Sequence, residues 1–228
     1  MRKLCFFLIA LSGAIHAMSQ DDIQLDLDSI KNIKTTRYSS VNEVGIAISV
    51  GGKQIDKILG NTRKINLSAD KPSVMFRTVH GVLVNPKFFI GGGAGIDFLP
   101  NSNAGGRFYY LTFPFFAEMR EYLLSGSFNI FLSERVGGAV FVDTYLSKYG
   151  IGNKGTASGA FGEFMIGGRY VPSGKKLAIH FGVGYRLQHL QRKIDVYSSI
   201  NGLPTQTYAN TPEITIKHYV PVTIGITF

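Results

Sequence analysis

The chain has one cysteine, no tryptophan and few charges, and each shortage excludes something. Cys5 is the only cysteine in 228 residues, and it falls in an N-terminal segment with the marks of an export signal. Disulfides, thiolate metal sites and cysteine nucleophiles are therefore excluded from the rest of the chain. His80, His180, His189 and His218 are not at metal-ligand spacing. Beyond that first segment no apolar run approaches the roughly 20 residues that a membrane-spanning helix needs. Charged residues make up 17% of the chain, below the roughly 25–35% typical of a soluble surface. What is abundant instead is glycine, phenylalanine and tyrosine, at 27, 17 and 11 residues, a mixture suited to strands with one wall in lipid and the other in a narrow lumen.

The N-terminal segment reads as a removable signal peptide over 1–19. Arg2 and Lys3 supply the positive end, 4–11 the short apolar run, and Ala17-Met18-Ser19 the small residues before a cut ahead of Gln20. Residues 20–40 are polar, with Asp21, Asp22, Asp26 and Asp28 followed by Lys31, Lys34 and Arg37, and read as a periplasmic leader. Residues 41–228 remain for one β domain.

The clearest strand is the last. Ile216, Val220, Val222, Ile224, Ile226 and Phe228 fall on one face, interrupted by His218, while Lys217, Tyr219, Pro221, Thr223, Gly225 and Thr227 fall on the other. A period of two with one apolar face is a strand, long enough at 215–228 to cross a bilayer. Seven further segments alternate in the same way: 41–51, 74–84, 88–98, 111–123, 135–147, 158–171 and 177–189. The fifth has the weakest alternation, setting Val136, Val140 and Val142 against Phe141, Asp143 and Tyr145. In the third, Gly91, Gly93 and Gly95 repeat every second residue with no helix after them, so they fit an inward strand face rather than a phosphate loop.

The connections alternate long and short. Tight turns or short links are expected at 85–87, 125–134 and 172–176, and long polar loops at 52–73, 99–110, 148–157 and 190–213, with room for a helical turn or two in 53–67. Long loops at one end and short turns at the other predict an all-β, eight-stranded antiparallel up-and-down transmembrane β-barrel with both termini periplasmic.

With its export signal, its alternating strands and a final strand carrying Tyr219, Val220, Val222, Ile224, Ile226 and Phe228, the chain resembles the small outer-membrane β-barrel family, in the glycine-rich and aromatic-rich style of Bacteroidetes-type bacteria. The resemblance implies that this final strand is the assembly signal read by the barrel assembly machinery, and that the protein sits in the bacterial outer membrane. It implies no catalytic motif.

An eight-stranded barrel is just wide enough for side chains to fill it. Asp97, Glu118, Arg120, Asp143, Glu163, Arg169, Arg186 and Lys217, with Arg77, are the inward candidates, and buried charges of this kind must pair. The expected role is therefore structural or surface-interacting with a filled lumen. The alternatives are a porin-like channel for small solutes, or a soluble secreted β-barrel or sandwich binding module. Glu118 with Glu163, or His180 beside Asp143 or Ser158, are conceivable catalytic pairs without diagnostic spacing, so no catalytic residue, cofactor or metal is expected.

The net charge of +9 puts Lys53, Lys57, Arg63, Lys64, Lys71, Arg107, Lys148 and Lys154 in the outward loops, where outer-membrane lipids and lipopolysaccharide phosphates are the expected partners. An extracellular ligand would meet the long loops 52–73 and 190–213, and nothing points to nucleic acid. Phe98, Tyr109, Tyr110, Tyr122, Tyr145, Tyr170, Tyr219 and Phe228 are expected in interfacial aromatic girdles.

Overall fold

Alternation of side chains dictates the architecture. The computed structural model describes residues 37–58, 61–69, 71–101, 108–124, 126–144, 156–172, 177–200 and 203–228. Within these, the side chains of 56–58, 61, 99–101, 108–110, 143–144, 156–157, 192–200 and 203–211 lie outside the description. The strands are β1 (Arg37–Ile58), β2 (Asn61–Leu67), β3 (Ser73–Asn85), β4 (Phe88–Asn101), β5 (Phe108–Tyr122), β6 (Phe128–Thr144), β7 (Thr156–Tyr170), β8 (Ala178–Ile200) and β9 (Leu203–Thr227). All neighbours pair antiparallel, and β1 closes the ring by pairing with β3 over Arg37–Ala47 and with β9 over Val41–Asp56. The ring β1-β3-β4-β5-β6-β7-β8-β9 is thus an eight-stranded closed antiparallel barrel, in which no strand is left as an open edge.

The ninth strand, β2, lies outside the ring and revises the first long loop. Segment 52–73 holds no helical turn among its described residues. β1 instead continues to Ile58 and returns as β2, pairing Gly52 with Leu67 through to Ile58 with Asn61. Segment 190–213 is likewise not a loop, because β8 and β9 stay paired up to Ile200 and Leu203. The reason is physical: the backbone ladder does not require the alternation of apolar and polar side chains that announces a strand, so it persists beyond Gly52 and Leu190 where that alternation has faded. Since β7 pairs with β8 only as far as Gln191, the strands β2-β1-β9-β8 rise together on one side as a four-stranded sheet above the ring.

A bulge re-aims this raised sheet. The β1–β9 register slips between Ser49 and Gly51, and Gly51 holds φ at 114°, a backbone state that glycine adopts without penalty. Below the bulge the odd residues of β1 face inward. Above it Gly52 and Gln54 share the inner face with Lys217 and Thr215, and Lys53 lies on the outer face beside Ile216. Gln54 Nε2 donates to Glu213 Oε2 at 3.2 Å across that inner face.

Two other boundaries differ from expectation. β1 begins at Arg37, so 37–40 belong to the barrel wall. β6 begins at Phe128, which places most of 125–134 in a strand rather than a connection. Its inner positions Phe131, Ser133 and Arg135 are buried, and a strand whose inward face is polar reads poorly as a strand.

Burial is inverted relative to a soluble protein. Val44, Ile46, Val74, Phe76, Phe115, Val140, Ile166, Phe181, Val183, Val222 and Ile224 are exposed on the outer wall, whereas Glu43, Arg77, Asp97, Glu118, Arg120, Arg135, Glu163 and Arg186 are buried inside. Of the residues expected in aromatic girdles, Phe98, Tyr170 and Phe228 are exposed on the outer wall. Tyr122 and Tyr219 are instead buried in the lumen, where strand parity puts them, and Tyr109, Tyr110 and Tyr145 fall outside the described side chains.

Candidate functional site

The lumen is the site, and its inner wall assembles it one strand at a time. β1 contributes Glu43, β3 Arg77, β4 Asp97, β5 Glu118 and Arg120, β6 Arg135, β7 Glu163, and β8 His180 and Arg186. Four guanidiniums meet four carboxylates in one connected, charge-balanced network. Arg77 bridges Asp97 at 3.2 Å and Glu163 at 2.9 Å. Arg186 bridges the same two acids, at 2.8 and 2.6 Å. Arg120 contacts Glu43 at 2.9 Å and Glu118 at 2.6 Å.

Arg135 joins the halves. Its Nε donates to Glu118 at 2.9 Å and its Nη1 to Glu163 at 3.0 Å. Its Nη2 lies 2.6 Å from Glu43 Oε2, close enough for an ion pair though outside hydrogen-bond alignment. Ser133 Oγ adds a donor to Glu118 at 3.0 Å. His180 Nε2 sits 3.0 Å from Glu43 Oε1, and the Thr227 hydroxyl on β9 sits 3.4 Å from His180 Nδ1. All eight strands of the ring therefore touch the network.

Aromatic and sulfur groups pad the charges. The Arg120 guanidinium lies 4.5 Å from the Phe131 ring centre, and those of Arg77 and Arg135 each lie 5.5 Å from that of Phe116. Val41, Val79, Phe89, Phe116, Tyr122, Phe131 and Phe161 form one apolar cluster, and Ala47, Met75, Ala139, Phe141 and Tyr219 form a second one toward the raised sheet. The lumen is thus a packed core with ion pairs at its centre. Surface ion pairs contribute about 0–1 kcal/mol, but here each charge is withdrawn from water and depends on its partners.

The inward glycines make room for these side chains. A Cβ on Gly93 would stand 2.5 Å from Phe116 Cζ and 2.9 Å from the Thr78 carbonyl oxygen, so β4 needs glycine where the Phe116 ring lies across it. Gly93→Val is expected to destabilise the barrel by about 1–3 kcal/mol through overpacking. On the outer wall a Cβ on Gly162 would meet nothing within 4 Å, and Gly162→Ala should be neutral or slightly stabilising. Urea midpoints of the two variants in detergent check the contrast.

Of the residues expected in the lumen, Asp97, Glu118, Arg120, Glu163 and Arg186 come together with Arg77. Arg169 stands apart, its guanidinium 4.7 Å from the Tyr122 ring centre. Lys217 is buried higher on β9, near the raised sheet. Asp143 falls outside the described side chains. Glu118 and Glu163 are both held by Arg135 rather than poised as a free carboxylate pair. His180 is not beside Ser158: it pairs with Arg169 at one end of the β7–β8 ladder, whereas Ser158 is exposed and pairs with Gln191 at the other. Glu43, Arg135 and the His180–Glu43 contact were missed from sequence, though strand parity places Glu43 on the inner face between Val41 and Gly45. Among the described residues no group of three or more His, Cys, Asp or Glu is arranged to hold a metal ion.

No family model matches the chain, and no curated protein matches it. Among solved structures, the outer membrane protein OprG from Pseudomonas aeruginosa is similar over 85% of this chain and 97% of its own, with 13% identity and a TM-score of 0.50. The fold is that of an outer-membrane β-barrel. Neisserial surface protein A is similar over 81% of this chain and 96% of its own, at 11% identity and a TM-score of 0.43. The outer membrane protease OmpT from Escherichia coli is similar over 86% and 99%, at 8% identity and a TM-score of 0.44. At such identities the likeness concerns the fold and transfers no residue roles.

Proposed function

We propose that the protein is an integral barrel of the bacterial outer membrane, non-catalytic, with its lumen closed by the arginine–carboxylate network and its raised sheet presented outward as an interaction surface. The inverted burial carries this reading: charges sit in the core and aliphatic side chains face out, an arrangement stable in lipid and costly in water. The turn at 86–87, the link at 123–127, the start of β1 at Arg37 and the last residue Phe228 lie at one end of the barrel, which on this reading faces the periplasm by the rule that long connections face outward. On this reading residues 1–19 are removed on export, and the final strand through Phe228 directs assembly.

The raised sheet suits a surface role because it is rigidly anchored to the wall and basic. Lys53, Arg63, Lys64 and Lys71 are exposed on or beside it, at the height where lipopolysaccharide phosphates or an acidic extracellular partner would lie. Glu43, Asp97, Glu118 and Glu163, each engaged by at least one arginine, support a structural rather than a catalytic role.

The test is fractionation followed by gel migration with and without boiling. Recovery in the outer-membrane fraction with faster migration before boiling is expected of a closed barrel. Recovery in a soluble fraction with no shift would overturn the proposal.

A further inference from the structure

One row of the outer wall sets polar side chains among apolar neighbours. Across β8-β9-β1-β3-β4 the register aligns Ile179, Ile226, Asn42, Thr78 and Ala94. Two polar side chains and a methyl thus follow two isoleucines along the row. They form a depression bordered by Phe76 and Ile96. Just below it, toward the tight-turn end, the Tyr38 hydroxyl lies 2.6 Å from His80 Nδ1 and the Thr78 hydroxyl lies 3.0 Å from His80 Nε2. With the proton on Nε2, Tyr38 donates to the ring and the ring donates to Thr78. Asn42 donates one amide hydrogen to Ser40 Oγ through a long 3.4 Å contact, and its second amide hydrogen, like the Thr78 hydroxyl hydrogen, can donate to an oxygen acceptor outside the barrel.

Polar groups facing hydrocarbon are costly unless something hydrogen-bonds them. Here they are ordered along the membrane normal, with Tyr38, His80, Asn42 and Thr78 toward the periplasmic side, and Phe76, Ile96, Val44 and Ile224 toward the membrane centre. That order matches a phospholipid of the inner leaflet, head and ester groups at the interface and acyl chains toward the midplane. We infer that this depression binds a glycerophospholipid of the periplasmic leaflet, with its ester and phosphate oxygens on Asn42 and the Thr78–His80 pair and an acyl chain against Phe76 and Ile96. The inference rests on the membrane orientation proposed above.

The experiment uses the full mature barrel in mild detergent, first checked for its heat-dependent shift, then titrated with phosphatidylethanolamine and read by native mass spectrometry. The wild type should retain one lipid per barrel. The Asn42→Leu/Thr78→Val double variant should keep its heat-dependent shift and retain about tenfold less, as the loss of two hydrogen bonds at a lipid interface implies. Equal retention by both proteins, or none by the wild type, would overturn the inference while leaving the barrel reading intact. So would disulfide-linked dimers of an Ala94→Cys variant in membranes, since a second copy would then cover the depression. A wild type that is soluble and shows no shift fails the membrane reading itself, and the lipid site with it.

Discussion

Replacing Arg135 by methionine is expected to destabilise the barrel by about 3–5 kcal/mol, because breaking a buried ion pair leaves uncompensated charge in a low-dielectric core. Arg135 is the arginine of the network with the most partners: it touches Glu43, Glu118 and Glu163, on β1, β5 and β7. Without it the network holds four carboxylates and three guanidiniums. Methionine keeps much of the volume against Phe116 and Met165, so the loss reports charge rather than a cavity. The urea midpoint of the heat-sensitive form should fall with little change in slope. Adding Glu118→Gln restores the charge balance, and the double variant should be more stable than the sum of the two single changes implies. An Arg135→Met barrel within about 0.5 kcal/mol of wild type, the range of ordinary surface changes, would mean that the guanidinium is hydrated and the lumen is wet.

Val222→Arg tests the opposite wall. Val222 is 40% exposed and sits midway along the apolar face of β9, between Val183 and Ile46 on the neighbouring strands. Arginine at the midplane of a lipid-facing barrel wall costs about 2–4 kcal/mol, falling toward zero near the interfaces. The same change on a water-facing strand would cost about 0.5 kcal/mol or less. Refolding into phosphatidylcholine vesicles, followed by denaturant titration, separates the two, and Phe228→Arg at the interface should cost much less than Val222→Arg. Equal and small costs at both positions would mean that the wall faces water.

The strand faces were legible wherever the two sides meet different solvents. In β9 every residue from Lys217 to Phe228 faces the side its parity assigned, because the outer face is aliphatic while the lumen face is polar or small. The signal failed for three physical reasons. In the raised sheet the sequence does not alternate apolar with polar residues, so β2 and the upper parts of β8 and β9 read as loops. At Asn42-Glu43 both faces are polar, so the inward Glu43 does not stand out beside its outward neighbour. At Val50-Gly51 the bulge reverses parity, and counting by twos through it would have turned Lys53 inward. Arg135 was lost for a related reason, since β6 puts Ser133 and Arg135 in the core and Glu134 on the wall. The girdle assignment of Tyr122 and Tyr219 failed because aromatic residues serve both the interface and the interior, and parity alone separates the two.

If the arginine–carboxylate network closes the barrel, the lumen carries no current. Recordings across a planar bilayer containing purified wild-type protein test this directly. No stable conductance steps are expected from the wild type. Large, stable steps would contradict closure and would make the lumen a conducting path.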